Sequence, residues 1–254
     1  MKPISVARDL QRRRGRERSG LFTAEGVRCV EELLASPIRI RGALTSPSLS
    51  HTPRGQALEA TLRERSAIAG FELTTCSDDL MADVAGTDTP QGVLVIAEQA
   101  ERTFENVDHG GVVLVLDGVQ DPGNVGTILR TAEAFGVAAT VALPGTADLW
   151  NPKVVRSAMG ALFAHTAFAA TMADTVLFLR ECSIPVWTTS AAGEPLAGRA
   201  TLPSVAIVVG NEASGVSDEM AAIAERNVAI PVHGVESLNV AVATGILLYA
   251  ITTG

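Results

Sequence analysis

The chain has 254 residues, of which 47% are apolar and 19% charged, and its formal net charge is -8 at neutral pH. That is enough apolar material for one large or two ordinary domains, and it predicts a globular, soluble chain. No stretch approaches about 18 uninterrupted apolar residues, and no hydrophobic segment follows the charges at the amino terminus, so neither membrane spanning nor secretion is expected and the cytoplasm is the expected compartment.

Lys2 to Ser19, carrying Arg8, Arg12, Arg13, Arg14, Arg16 and Arg18, reads as helical or mobile. Phe22 opens a strand-like stretch, after which Val27, Val30, Leu33 and Leu34 recur at helical spacing. Arg39 to Leu44 and Phe71 to Thr75 alternate like strands, Ala57 to Ile68 reads as a helix, and Gly92 to Ala97 as a closing strand. Together they make a small α/β unit of ordinary domain size. The polar run Glu98 to Gly111 separates two apolar strands, so the expected boundary lies near 105, dividing the chain into 1–105 and 106–254. Phe22, Phe71 and Phe104 are too few aromatics in this part for a base-stacking sheet.

The rest of the chain is organised around Leu116 to Gly136. An apolar run, Val112 to Leu116, meets turn-formers at Asp117-Gly118 and Asp121-Pro122-Gly123-Asn124, and a helix-period pattern follows. Asn124 is placed to cap that helix, Val125, Ile128, Leu129, Ala132 and Phe135 share one face, and Gly136 suits a left-handed ending. Arg130 lies about 200° around from Ile128 and so points away from the buried stripe, either towards a surface ion pair or towards a ligand. Further strands are read at Ala138 to Leu143, Leu162 to Phe168, Ile184 to Thr188, Val205 to Val209 and Val228 to Ile230. Helices fall between them at Pro152 to Met159, Met172 to Glu181, Asp218 to Glu225 and Leu238 to Ile251, an alternation that predicts a parallel sheet covered on both faces. Neither Gly-x-Gly-x-x-Gly nor Gly-x-x-x-x-Gly-Lys-Ser/Thr is present, which excludes the Rossmann and P-loop nucleotide sites. The Gly/Ser/Asn loops cluster late instead, after the strands ending at Val209 and Ile230.

Three segments carry a family pattern: Leu116 to Gly136; Gly210-Asn-Glu-Ala-Ser-Gly215 after the strand at Ala206; and Glu236-Ser-Leu-Asn-Val-Ala-Val-Ala243 after the strand at Val228. Their order and spacing resemble the three motifs of the SpoU branch of SPOUT RNA 2'-O-ribose methyltransferases across residues 112 to 252. In the amino-terminal third the resemblance rests on Glu25-Gly26-Val27-Arg28, similar to a segment of the L30e-like substrate-binding domain that precedes the catalytic domain in many members. The resemblance implies a deep trefoil knot near the carboxyl terminus, a homodimer, and S-adenosylmethionine as cofactor. It places Thr188, Gly210, Ile230 and Leu238 around the adenosine, although simple core packing is the other reading of Ile230 and Leu238. It makes Arg130 the essential arginine of transfer to a ribose 2'-hydroxyl, with Asn124, Glu212, Ser237 and Asn239 as its companions. Glu212 would orient the arginine, and Ser237 and Asn239 would bind ribose or cofactor; helix capping is the alternative for Asn124 and Ser237. A guanidinium stays protonated, so Arg130 is expected to bind phosphate or ribose and stabilise a developing alkoxide. The substrate implied is rRNA, since a substrate-binding domain precedes the catalytic one. A tRNA substrate and a non-catalytic RNA-binding protein of the same fold are the alternatives.

A charge of -8 sits poorly with an RNA partner until its distribution is considered. Residues 1–18 hold 7 Lys+Arg against 2 Asp+Glu, whereas residues 106–254 hold 6 against 13. Arg12, Arg13, Arg14 and Arg28 are therefore the expected RNA-binding side chains, a solvated terminus being the alternative. Cys29, Cys76 and Cys182 are too widely spaced for a disulfide framework or a zinc cage, and His51, His109, His165 and His233 form no pair at ligand spacing, so no metal is expected.

Overall fold

The computed structural model describes residues 2–108, 110–196, 204–235 and 237–252; His109 and the Glu236 of the third motif lie outside the described residues. The chain divides into two compact units, Met1–Ala100 with Trp150–Phe163, and Glu101–Leu149 with Ala164–Gly254.

The first unit begins with α1 (Pro3–Leu10) and α2 (Arg13–Ser19), then β1 (Leu21–Glu25), α3 (Val27–Ala35), β2 (Ile40–Thr45), α4 (Pro53–Ala69), β3 (Glu72–Thr75), α5 (Asp78–Val84) and β4 (Val93–Glu98). Its sheet has the order β1-β4-β2-β3. β4 runs antiparallel to both neighbours, while β2 and β3 are parallel. Leu10 from α1 and Met81 from α5 are fully buried with Leu44, Leu94 and Ile96 of the sheet. The basic amino terminus is thus helical and docked by its apolar face. Several of its arginines are committed within the chain: Arg18 pairs with Asp9 at 2.7 Å, Arg13 with Glu17 at 2.7 Å, and Arg8 with Asp83. Arg16 is buried and donates to the Leu10 carbonyl at 2.7 Å. The sequence pattern does not distinguish α5, because its seven residues are too few to show a helical period.

The second half of the chain continues with β5 (Gly111–Asp117), α6 (Pro122–Ala134), β6 (Ala139–Ala142), α7 (Pro152–Ala158), α8 (Ala161–Ala164), β7 (Ala167–Ala169), α9 (Met172–Glu181), β8 (Val186–Pro195), β9 (Ser204–Gly210), α10 (Asp218–Ala222), β10 (Arg226–Ala229) and α11 (Val240–Thr252). The sheet of the second unit has the order β10-β8-β9-β5-β6-β7, and every recorded pairing in it is parallel. This is the parallel sheet expected from the alternating pattern. Its strands are buried on both faces: Val112 through Leu116 and Val205 through Val209 are each at most 5% exposed. The strand expected at Leu162 to Phe168 is instead α8 followed by the short β7. A short, largely apolar run interrupted only by His165 and Thr166 cannot by its period tell strand from buried helix, and here it serves two cores. Leu162 and Phe163 fall in the first unit, Ala167 and Phe168 in the sheet of the second.

Within the first unit, α7 lies against β1. Phe22, fully buried, has ring centroids 4.6 Å from Trp150 and 5.7 Å from Phe163. Arg156 donates to the Glu25 carboxylate at 3.3 Å and to the Gly86 carbonyl at 3.1 Å, and Glu25 also accepts from the Gly86 amide and the Thr87 hydroxyl. Among the described residues, no helix is long and apolar enough to cross a membrane, and no three His, Cys, Asp or Glu side chains are grouped to hold a metal ion.

Candidate active site

The site gathers at the carboxyl ends of β5, β8, β9 and β10, where an open α/β sheet leaves its crevice. β5 ends at Asp117, whose carboxylate accepts from the Ser217 amide at 2.7 Å. α6 then starts with Asp121 as its cap, accepting from the Asn124 amide at 2.9 Å, and with Pro122 in the first turn. The cap expected at Asn124 is therefore at Asp121, three residues earlier, because Pro122 has a φ already suited to the first helical position. This frees the Asn124 side chain. α11 is likewise capped two residues away from expectation: Asn239, not Ser237, accepts from the Ala241 and Val242 amides at 3.0 and 3.3 Å.

The freed amide of Asn124 joins the three motifs. Its Nδ2 donates to Glu212 Oε1 at 2.8 Å, and its Oδ1 accepts from Asn239 Nδ2 at 3.0 Å. The chemistry dictates both amide orientations. A carboxylate only accepts, so Nδ2 of Asn124 must face Glu212; Oδ1 then faces a donor, and Asn239 supplies its Nδ2 while its own oxygen holds the helix amides. Glu212 thus bonds to Asn124, and the expected arginine–carboxylate pairing is not recorded. Arg130 stands exposed on α6 and makes no side-chain hydrogen bond or ion pair among the described residues. A positively charged fork left open in this way can take up an anion.

A cleft of about 390 Å³ opens beside this line of side chains. Ile230, Val232, Leu238, Ala243 and Leu247 supply apolar wall; Thr189, Ser190, Glu212, Ser237 and Asn239 supply polar groups. Its size and mixed lining suit a nucleoside-sized ligand. Gly210, Ile230 and Leu238 line it as expected, but Thr188 does not. Thr188 is buried and its hydroxyl donates to the Arg226 carbonyl at 3.4 Å, because successive strand residues face opposite ways and the cleft side falls to Thr189. Gly210 matters for a different reason from ligand approach. A Cβ there would lie 2.2 Å from the Gly215 carbonyl carbon, since the turn 211–215 folds back over it. Asn211, one residue on, anchors that turn, a role its position in the motif alone does not reveal.

Of the side chains expected to meet RNA, Arg12, Arg14 and Arg28 are exposed, while Arg13 is engaged with Glu17. Arg12 and Arg14 have no side-chain partner among the described residues.

Comparison with known proteins agrees with this geometry. Residues 111–249 match the SpoU rRNA Methylase family, and residues 3–95 match the MRM3-like substrate binding domain. The chain is 33% identical over 242 residues to the 23S rRNA (guanosine(2553)-2'-O)-methyltransferase RlmP of Bacillus subtilis, covering 94% of this chain and 92% of that one. Among solved structures, a TrmH-family protein from Porphyromonas gingivalis superposes with TM-score 0.80 at 33% identity, covering 97% of this chain and 95% of its own. An AdoMet-bound rRNA methyltransferase from Sinorhizobium meliloti superposes with TM-score 0.81 at 28% identity, covering 98% and 93%.

Proposed function

The chain belongs to the SpoU rRNA methylase family, and from that premise we propose that it transfers a methyl group from S-adenosylmethionine to a ribose 2'-hydroxyl of 23S rRNA. One observation carries the reading: Asn124, Glu212 and Asn239, one from each motif and up to 115 positions apart, are hydrogen-bonded in a line at the edge of the cleft. Helix capping alone would need none of these contacts.

The cleft fits the cofactor. Ile230 and Leu238 offer apolar faces to an adenine, and Thr189, Ser190 and Ser237 offer hydroxyls to its sugar. S-adenosylmethionine supplies a methyl group on a sulfonium, already an excellent leaving group, so the protein's work is to align the hydroxyl and help it lose a proton. Arg130 carries a fixed positive charge without a partner among the described residues, and we assign it to bind the target nucleotide's phosphate or ribose and to stabilise the developing alkoxide. Glu212, held by Asn124, faces the cleft and orients the hydroxyl. Residues 1–105 are assigned to RNA binding and 106–254 to catalysis, supported by the two family matches.

We assign a homodimer as the working form, supported by α11, where Val242, Ile246 and Tyr249 are 54%, 42% and 50% exposed on one face. Light scattering of the wild type should give twice the chain mass, and Val242→Asp with Ile246→Asp should give the monomer. The knotted reading of the carboxyl-terminal part is supported by the family match over residues 111–249.

The test is transfer of radiolabelled methyl to unmodified 23S rRNA, 16S rRNA and tRNA, followed by nucleoside analysis. A 2'-O-methylnucleoside from 23S rRNA is expected. Arg130→Ala should abolish transfer with cofactor affinity within about twofold of wild type; loss of cofactor binding instead would make Arg130 structural. Label appearing in tRNA alone would overturn the choice of substrate.

A further inference from the structure

The turn that presents Glu212 is held by the residue just before it, Asn211. Asn211 turns its side-chain amide mainly to backbone, the Ser214 hydroxyl being a further donor to its Oδ1 at 3.3 Å. Its Oδ1 accepts from the Ala213 and Ser214 amides at 2.9 and 3.0 Å, and its Nδ2 donates to the Gly118 carbonyl at 2.9 Å. Its own main chain closes the turn, with Asn211 N donating to Gly215 O and Gly215 N donating to Asn211 O at 3.0 and 2.9 Å. The Gly118 peptide on the far side is itself pinned, because its amide donates to the Thr146 hydroxyl at 3.1 Å and that hydroxyl donates to the Leu116 carbonyl at 2.8 Å. Past the turn, the Asp117 carboxylate takes the Ser217 amide. The segment 211–217 is therefore tied at both ends to the loop leaving β5, the same loop that runs into α6 and Asn124.

We propose that Asn211 is the positioning residue for Glu212, fixing that carboxylate against Asn124 by clamping the 211–215 turn onto Gly118. This rests on the methyltransferase reading of the site. The clamp needs a donor and an acceptor on one planar group at this length, which only an asparagine amide provides. Aspartate has the same shape and keeps the acceptor half, but its second oxygen would face the Gly118 carbonyl oxygen at the 2.9 Å now spanned by a hydrogen bond. The turn would be pushed away from the β5 loop and Glu212 with it.

The experiment is a double-variant cycle on the full-length protein, using methyl transfer to 23S rRNA, with kcat and KM measured separately and folding checked by thermal unfolding. Asn211→Asp should lower kcat by about tenfold to a hundredfold, the usual cost of displacing an aligned group by about 1 Å, with KM for RNA within about twofold. In the background of Glu212→Gln, adding Asn211→Asp should cost little more, because the group it positions is already impaired. Losses that multiply in the double variant, or a wild-type kcat in Asn211→Asp, would overturn the assignment. Should Asn211→Asp fail to fold, Asn211→Ser, which brings in no repelling charge, carries the same cycle with the same expectations. A wild-type protein that methylates no RNA would overturn the functional reading itself, an outcome distinct from a failed cycle.

Discussion

Replacing Arg156 by methionine tests whether α7 is an integral part of the first unit. Arg156 keeps 29% of its side chain exposed, whereas its partner Glu25 keeps 6%. At their 3.3 Å separation the gross attraction at an effective dielectric constant of about 20 is about 5 kcal/mol. Removing one member of a buried pair generally costs about 3–5 kcal/mol, mainly because the other charge is left in a poorly solvated place. Here Glu25 retains the Gly86 amide and the Thr87 hydroxyl, and the guanidinium was partly hydrated to begin with. The expected loss is therefore about 2–3 kcal/mol, below that general range. Denaturant unfolding at neutral pH measures it, and at about 2–4 °C per kcal/mol the midpoint temperature should fall by roughly 5–10 °C. The control is Arg54→Met, which breaks the Arg54–Glu31 pair on the surface, with side chains 61% and 33% exposed, and should cost much less than Arg156→Met. Equal effects of the two substitutions, or a loss below about 0.5 kcal/mol for Arg156→Met, would refute the argument that burial of Glu25 makes the pair matter.

Three other expectations follow from particular residues. Gly210→Ala puts a Cβ 2.2 Å from the Gly215 carbonyl carbon, so the turn must shift; kcat should drop, and stability should fall by about 1–3 kcal/mol in denaturant titration, and an alanine variant with wild-type values would show the turn to be slack. His165 is buried with its Nε2 against the Thr140 hydroxyl at 2.7 Å, and burial together with the Arg102 guanidinium pushes its pKa down to about 4, outweighing the solvated Glu133 carboxylate 3.4 Å from Nδ1. The unfolded imidazole takes up its proton near 6.5 and the folded one only near 4, so stability should be full above 6.5 and fall by about 3 kcal/mol as the pH drops to 4, a fall that His165→Gln should lack in unfolding measured across that window. Arg12→Ser with Arg14→Ser should weaken RNA binding and reduce the salt slope by about one per arginine that meets a phosphate; an unchanged slope would make them solvated surface.

The amino-acid sequence by itself determined most of the local elements, and its chemistry through a family resemblance. The run Val112 to Leu116, ended by turn-formers, reads as a strand buried on both faces, the period from Val125 to Ala132 reads as an amphipathic helix, and its outward Arg130 follows from that period. The residues of the three motifs stood out through the family resemblance that their order and spacing carry. Tertiary structure decided which partner each of them takes. Asn124 and Glu212 are 88 positions apart, and no local rule says that the amide meets the carboxylate rather than capping its own helix. The same holds for Thr188 and Thr189, where one step along a strand reverses the facing, and that step depends on how β8 lies against β9 and β10. The membership of Trp150–Phe163 was likewise out of reach, since its helical pattern says only that one face must be buried. Which surface buries it is settled by Phe22 and Glu25, more than a hundred residues earlier, the ring packing against Trp150 and the carboxylate accepting from Arg156. Periodicity is written into neighbouring residues, whereas pairing is a property of the closed fold.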